Sequence, residues 1–124
     1  RRELDLTAMQ EGAAHLVGRH DFSSFRAQGC SAAHPNRVIE CVRVFAHEDE
    51  IWMEFLGNAF LRHQVRIMVG TLVDVGQDRI GPDELRRIVV ARDRSAAGAT
   101  APSHGLVLVG VELADAPRKP SRKA

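Results

Sequence analysis

The stretch NAFLRHQVRIMVGTLVDVG, residues 58–76, decides how the chain folds, because it has the apolar periodicity of a helix that covers a core. Asn58 is a favourable N-cap residue, so the spacing predicts a helix that begins there and ends around Gly76. The apolar positions lie on one face, which we expect to pack on a sheet. These positions are Leu61, Val65, Met68, Leu72 and Val75.

Positive charge is concentrated at the start of this predicted helix. Arg62, His63 and Arg66 fall in its first turns. The helix macrodipole is already positive there, so each added cation is disfavoured by about 0.3 to 1 kcal/mol. A bound anion would offset that cost, so the helix start is a candidate binding site.

Two apolar runs rich in β-branched and aromatic residues, VIECVRVFA and IWMEFLGNAF, precede and enter this stretch. They lie between Val38 and Phe60, and four polar residues, 47–50, separate them. This arrangement is typical of a β-hairpin. Polar residues interrupt each run at every second or third position, which favours an antiparallel pair with one covered face.

The remaining elements are predicted from local signals. A helix is expected over residues 6–17 with Thr7 as its cap and Gln10 completing a capping box, and another from Pro82 through Val89. Residues 19–37 and 92–105 read as loops, and LVLVGVEL, residues 106–113, as a buried strand. The fold class is therefore α+β: a mostly antiparallel sheet with helices packed on one face.

Composition and charge set further limits on function. The 124 residues are 44% hydrophobic and 27% charged, which suits one globular domain. Net charge is +1, but the basic tail, residues 117–124, carries four cations and no acid, so the rest has 13 basic and 16 acidic residues, a net of −3. Any nucleic-acid binding must therefore use a local patch, and we expect the tail to be disordered.

Neither a membrane span nor a metal site is predicted. No apolar run approaches the roughly 18 residues that cross a bilayer, so we expect a soluble, cytoplasmic protein. Cys30 and Cys41 form no paired thiol motif, and the six histidines show no metal-binding spacing. The chain begins with Arg1 rather than methionine, and we expect it to be part of a longer protein.

The candidate site combines cations from three segments. We expect Arg62, His63 and Arg66 to meet Arg26 from the first loop and Arg92 and Arg94 from the second, so that five guanidiniums converge near a helix N-terminus. Phe22, Phe25 and Phe60 would add stacking surfaces for unpaired bases.

Structural roles for the same residues stay open. The arginines would then be solvated or paired with carboxylates such as Asp21, and the phenylalanines and Leu106 would be core residues. No serine, cysteine or carboxylate has the context of a nucleophile with its base. The chain thus supplies cationic groups but no reacting group, as expected of a chain that contributes only half of an active site.

Four motifs in this chain resemble the C-terminal half of the bacterial tRNA pseudouridine synthases of the TruA type. They are DFSSFRA (21–27), the hairpin that begins RVIECVRV, GNAFLRHQVRIMVGTLVDVG (57–76) and RDRSAAGATAPSHGLVLVGVEL (92–113), in the family's order. The resemblance covers nearly all of the chain except the tail. It implies that residues 1–116 form the C-terminal domain of such a synthase.

The resemblance also implies an activity and a division of roles. The family isomerises uridine to pseudouridine in the anticodon stem-loop of tRNA, without cofactor or metal, and forms homodimers. Its nucleophilic aspartate lies in an N-terminal half that this sequence does not match. Arg66 corresponds to the arginine that pairs with that aspartate, and Leu106 to a wall of the uracil pocket. The expected RNA contacts are Arg26, Phe60, Arg62, His63, Arg92 and Arg94.

A second interpretation remains at this point. The chain could be a freestanding RNA-binding or protein-interaction module whose arginines only hold phosphates. The reading frame upstream of Arg1 distinguishes the two interpretations. If it encodes the aspartate motif, the binding-module interpretation is excluded.

Overall fold

The computed structural model describes residues 4–27, 34–48, 50–61 and 63–101. In chain order it contains α1 (Leu6–Ala14), β1 (Gly18–Asp21), β2 (Asn36–His47), β3 (Glu50–Gly57), α2 (Gln64–Gly76) and α3 (Glu84–Ala91). There are also two short 3-10 turns: Ser23–Phe25 lies between β1 and β2, and Arg94–Ala96 follows α3. The α+β class is confirmed.

The described sheet has three antiparallel strands in the order β1-β2-β3. The hairpin prediction is confirmed: β2 and β3 pair from Ile39 with Gly57 to His47 with Glu50, with a register shift between Ile39 and Cys41. Glu48 begins the tight connection with a φ of 58°. The hairpin could be predicted because its signals, alternation and a polar turn, are local in sequence.

The predicted loop over residues 19–37 is wrong in part. Residues Gly18–Asp21 form β1, which pairs with the first half of β2, and Ser23–Phe25 form a 3-10 turn. Local composition here favours a loop, but pairing with a distant strand decides the conformation. The predicted strand at 106–113 and the predicted disordered tail lie outside the described residues.

Helix α1 begins at Leu6 as predicted, but it ends at Ala14 rather than Val17, and its cap differs from the prediction. Asp5, not Thr7, caps it, with the carboxylate accepting a hydrogen bond from the Ala8 N–H at 3.0 Å. Gln10 does not complete a capping box; its Nε2 donates instead to the carbonyl of Val44 on β2, at 2.8 Å. This bond ties α1 to the middle of the sheet.

One hydrophobic core joins the helices, the sheet and the first 3-10 turn. The predicted stripe of α2 is buried at Leu61, Met68, Leu72 and Val75 and half-buried at Val65. Among the described residues, the main neighbour of α2 is α1 rather than the sheet, because α1 lies on β2. The stripe was predicted correctly; of the sheet on which it was expected to pack, the described strands β1 to β3 are not the main contact of α2.

Helix α3 starts at Glu84, two residues after the predicted Pro82, and buries Leu85, Ile88 and Val89. Within the ranges that the structure describes, no helix is long and apolar enough to cross a membrane.

Candidate functional site

Helix α2 begins at Gln64, so the predicted start at Asn58 is wrong. His63 occupies the N-cap position with a φ of 61°, and its side chain makes no capping bond. Gln64 closes the bend before the helix: its Oε1 accepts the Leu61 N–H at 2.8 Å, and its own N–H donates to the Leu61 carbonyl at 3.0 Å. Leu61 is only 4% exposed and belongs to the core. His63 therefore precedes the helix, and Arg62 lies outside the described residues.

Arg66 remains in the first turn of α2, the position where a cation is disfavoured. Its Nε donates to the carbonyl of Ala101 at 3.0 Å, and its own carbonyl accepts the Ala101 N–H at 3.0 Å. Neither Nη group has a partner among the residues that the structure describes. The half-buried guanidinium is thus held at one nitrogen and offers the other two to an anion.

The segment of residues 97–101, which we name the strap, runs along α2 beside Arg66. The Gly98 N–H donates to the hydroxyl of Thr71 at 2.9 Å. Arg94 donates from Nη2 to the hydroxyl of Thr100 at 3.2 Å. Arg66 therefore bonds to the backbone of the strap, and Arg94 bonds to one of its side chains.

Asp21 organises a second cluster of cations. Its Oδ1 accepts hydrogen bonds from the Ser23 hydroxyl at 2.6 Å and the Ser23 N–H at 2.9 Å, and its Oδ2 lies 3.7 Å from Nε of Arg92. Burial acts to raise the pKa of Asp21, but the Ser23 bonds and the charges of Arg92 and Arg26 outweigh it and lower that pKa. Arg92 thus has the carboxylate partner that the structural interpretation expected.

Ser24 connects this cluster to α3 and to Asp93, which precedes the strap. It is fully buried, donates to the Ile88 carbonyl at 2.6 Å and accepts the Asp93 N–H at 2.8 Å. The first 3-10 turn, whose Ser23 bonds to Asp21, also contacts α2, the helix that carries Arg66.

Acidification is expected to reveal the contribution of Asp21 to stability. Because its folded-state pKa lies below the ordinary value of 3.8, the carboxylate stabilises the fold above pH 3.8. That contribution is lost as pH falls through the lowered pKa. Asp21→Asn should therefore flatten the decline of the free energy of unfolding below pH 3.8, measured by urea denaturation at several pH values. Asp83→Asn is the control, because the Asp83 side chain is 92% exposed. If Asp21→Asn leaves the pH dependence of the free energy of unfolding unchanged, the Asp21 carboxylate does not stabilise the fold.

Two of the predicted site residues have left-handed backbone conformations, His63 with a φ of 61° and Arg92 with a φ of 55°. Residues with a Cβ seldom adopt this region, and such strain is concentrated at functional positions. The His63 side chain is exposed. Arg92 is the residue that directly follows α3.

Relief of this strain is expected to stabilise the protein. His63→Gly should raise the free energy of unfolding by about 0.5 to 1 kcal/mol, because glycine adopts positive φ without a steric penalty. Urea denaturation measures the difference. Glu11→Gly, an exposed position within α1, is the matched control and should lose a similar amount. A destabilised His63→Gly variant would show that the imidazole makes a stabilising contact.

The predicted aromatic surfaces divide into two kinds. Phe22 and Phe25 are 0% exposed and belong to the core, as the structural interpretation expected. Phe60 is half-buried, and its ring lies over Gly57, where an added Cβ would come within 3.3 Å of it. Phe60 therefore keeps an accessible surface near the start of α2.

The structure brings together only some of the predicted residues. Arg26 and Arg92 surround Asp21, and Arg66 and Arg94 hold the strap. Arg62 and Leu106 lie outside the described residues. Sequence reasoning treated residues 92–105 as a loop and missed that the strap docks on α2; the small residues at 96–99 were the available signal.

Comparison with known proteins points in one direction. Residues 13–112 match the family model described as tRNA pseudouridine synthase. The tRNA pseudouridine synthase A of Wolbachia pipientis wMel is 45% identical over 109 residues, which cover 88% of this chain and 44% of that protein. That of Paramagnetospirillum magneticum is 47% identical, with 87% and 42% covered, and that of Caulobacter vibrioides NA1000 is 42% identical, with 93% and 47% covered.

This chain spans less than half the length of these relatives, 42% to 47%, yet the match includes Arg66, the strap and the Asp21 cluster. A family match over residues 13–112 and identities of 42% to 47% lead to one conclusion: the chain belongs to the tRNA pseudouridine synthase family.

Proposed function

We propose that this chain is the C-terminal part of an enzyme that isomerises uridine to pseudouridine in the anticodon stem-loop of tRNA. The observation that carries the proposal is the state of Arg66. Its guanidinium is anchored through Nε to the strap and presents two Nη groups that no described residue engages. A carboxylate fits that fork in a bidentate manner.

The anion for this fork is the nucleophilic aspartate of the N-terminal part, which the matched relatives have length to contain and this sequence does not supply. An adjacent guanidinium favours the charged form of a carboxylate and lowers its pKa by about 1 to 3 units. Arg66 would therefore keep the nucleophile ionised and oriented. The cost of a cation in the first turn of α2 is offset by this pair.

Recognition of the RNA falls to cations and an aromatic ring around the same neighbourhood. Extruding a uridine from the stem-loop costs a few kcal/mol, which contacts to the phosphate backbone must offset. Leu106 is assigned to the uracil pocket. The residues assigned to phosphate or base contacts are Arg26, Phe60, Arg62, His63, Arg92 and Arg94.

The proposal also includes the properties that the family resemblance implies. The complete enzyme acts in the cytoplasm as a homodimer and uses no cofactor or metal. The freestanding binding module has no comparable support, because the relatives that match this chain carry the name of an enzyme.

Pseudouridine formation in an unmodified tRNA anticodon stem-loop tests the proposal. This chain is compared with the same chain extended by the sequence encoded upstream of it. We expect activity only in the extended protein, because the nucleophile lies there. Activity in the short chain would reveal a nucleophile within these 124 residues, and inactivity of both would contradict the proposed reaction.

A further inference from the structure

The strap approaches α2 more closely than ordinary side chains allow. Gly70 lies one turn after Arg66 on the same face of the helix, and a Cβ there would overlap the carbonyl oxygen of Ala99 and come within 3.0 Å of its carbonyl carbon. On the strap side, a Cβ at Gly98 would lie 3.1 Å from Cα of Thr71. The contact thus requires glycine at position 70, whereas a Cβ at Gly98 would meet Oδ2 of Asp74 at 2.6 Å and crowd the helix backbone.

A glycine within a helix is otherwise unfavourable, because it loses more backbone entropy on folding than alanine does. Gly70 lies in the middle of α2, between Gln64 and Gly76. Its presence there is accounted for by the close approach of the strap rather than by the helix itself.

The strap in turn determines the direction of Arg66. Its Ala101 carbonyl is the one described acceptor for Nε of Arg66, and the Ala101 N–H returns a bond to the Arg66 carbonyl. The Thr71 hydroxyl fixes the other end of the strap through Gly98. A displacement of the strap therefore moves the acceptor that orients the guanidinium.

We propose that Gly70 and Thr71 are positioning residues for the reaction: they seat the strap on α2, and the seated strap aims the two Nη groups of Arg66 at the reactive anion. The inference rests on the proposed function and deepens it. A misplacement of a catalytic group by about 1 Å can cost about 100-fold in rate. Loss of this seating should therefore reduce the chemical step rather than the binding of RNA.

The test uses the upstream-extended protein and steady-state kinetics on the tRNA stem-loop. Gly70→Ala should lower kcat at least tenfold with KM changed less than twofold. It should also move the acid limb of the kcat profile to higher pH, because a guanidinium further from a carboxylate no longer lowers the pKa of that carboxylate. Gly81→Ala is the matched control, since nothing lies within 4 Å of a Cβ at that position.

If Gly70→Ala folds poorly, the variants Thr71→Val and Thr71→Ser test the seating of the strap independently. Valine removes the acceptor of the Gly98 N–H and should reproduce the loss of kcat and the shifted acid limb. Serine keeps the hydroxyl, so Thr71→Ser should have the kcat and the acid limb of the parent protein. Circular dichroism and melting curves of each variant establish that the fold is retained.

The outcomes separate this inference from the function it rests on. If Arg66→Ala loses activity while Gly70→Ala and Thr71→Val keep full kcat and an unchanged pH profile, the positioning role is wrong and the proposed function stands. If Arg66→Ala is itself fully active, the positioning role and the pairing of Arg66 with the aspartate are both wrong, while the proposed reaction stands; the reaction itself is refuted only if the extended parent protein forms no pseudouridine. A Gly70→Ala variant with a raised melting temperature and full activity also overturns the positioning role, since it shows that the strap yields to the helix.

Discussion

Arg66→Ala in the upstream-extended protein is expected to lower the rate constant for pseudouridine formation by about 100- to 1000-fold, the usual cost of removing one preorganised electrostatic group from an active site. Arg66 is held at Nε by the Ala101 carbonyl and has two Nη groups without described partners, so its removal leaves the opposing carboxylate without a counter-charge. Single-turnover rates at saturating RNA measure the effect on chemistry apart from binding.

Arg66→Lys should restore little of this activity. An ammonium cannot donate to the strap and also offer a planar pair of donors to a carboxylate, because it is a compact point charge. Arg86→Ala, at an exposed position on α3, is the control for loss of positive charge and should change the rate less than twofold. A rate for Arg66→Ala within tenfold of the parent would refute the pairing with a nucleophilic aspartate.

Phe25→Ala is expected to lower the free energy of unfolding by about 3 to 5 kcal/mol, because it removes a fully buried aromatic ring and leaves a cavity. The ring packs against Phe22 with centroids 6.3 Å apart, and its 3-10 turn contacts α2, α3 and the turn before the strap. Native domains are stable by only about 5 to 15 kcal/mol, so this loss removes a large part of the margin. Urea denaturation of the chain measures it.

Phe60→Ala is the matched control, since the parent ring is only half-buried, and its loss of stability should be smaller. The comparison separates the two roles considered for the aromatic residues. A loss below about 1.5 kcal/mol for Phe25→Ala, less than large core truncations cost, would contradict its role as a core anchor.

The structural contacts show how the clustered arginines of the sequence are distributed. Arg92 and Arg26 flank the ionised Asp21, and Arg94 is engaged with Thr100 of the strap. Arg66 is held through Nε, and neither of its Nη groups meets a described residue. Clustered charge in the sequence therefore corresponds to two distinct arrangements, a compensated cluster at Asp21 and an open fork at Arg66.

Periodic and local signals in the sequence were sufficient for the hairpin and for the buried stripe of α2. β2 and β3 alternate around a short polar turn, and Leu61, Met68, Leu72 and Val75 are buried as their spacing predicts. The motifs also identified Arg66 as the candidate active-site arginine and the family to which the chain belongs. The hairpin, the buried stripe and each motif depend on the order of residues within a short segment of the chain.

Packing and contacts between segments decided the rest. The start of α2 at Gln64, rather than at Asn58, accompanies the burial of Leu61 and two hydrogen bonds between Leu61 and Gln64 that propensity does not reveal. β1 exists because residues 18–21 pair with β2. The aim of Arg66 depends on a strap 35 positions away that approaches Gly70. Spacing within a segment dictates which face is apolar, but only the packed chain determines which backbone carbonyl a guanidinium meets.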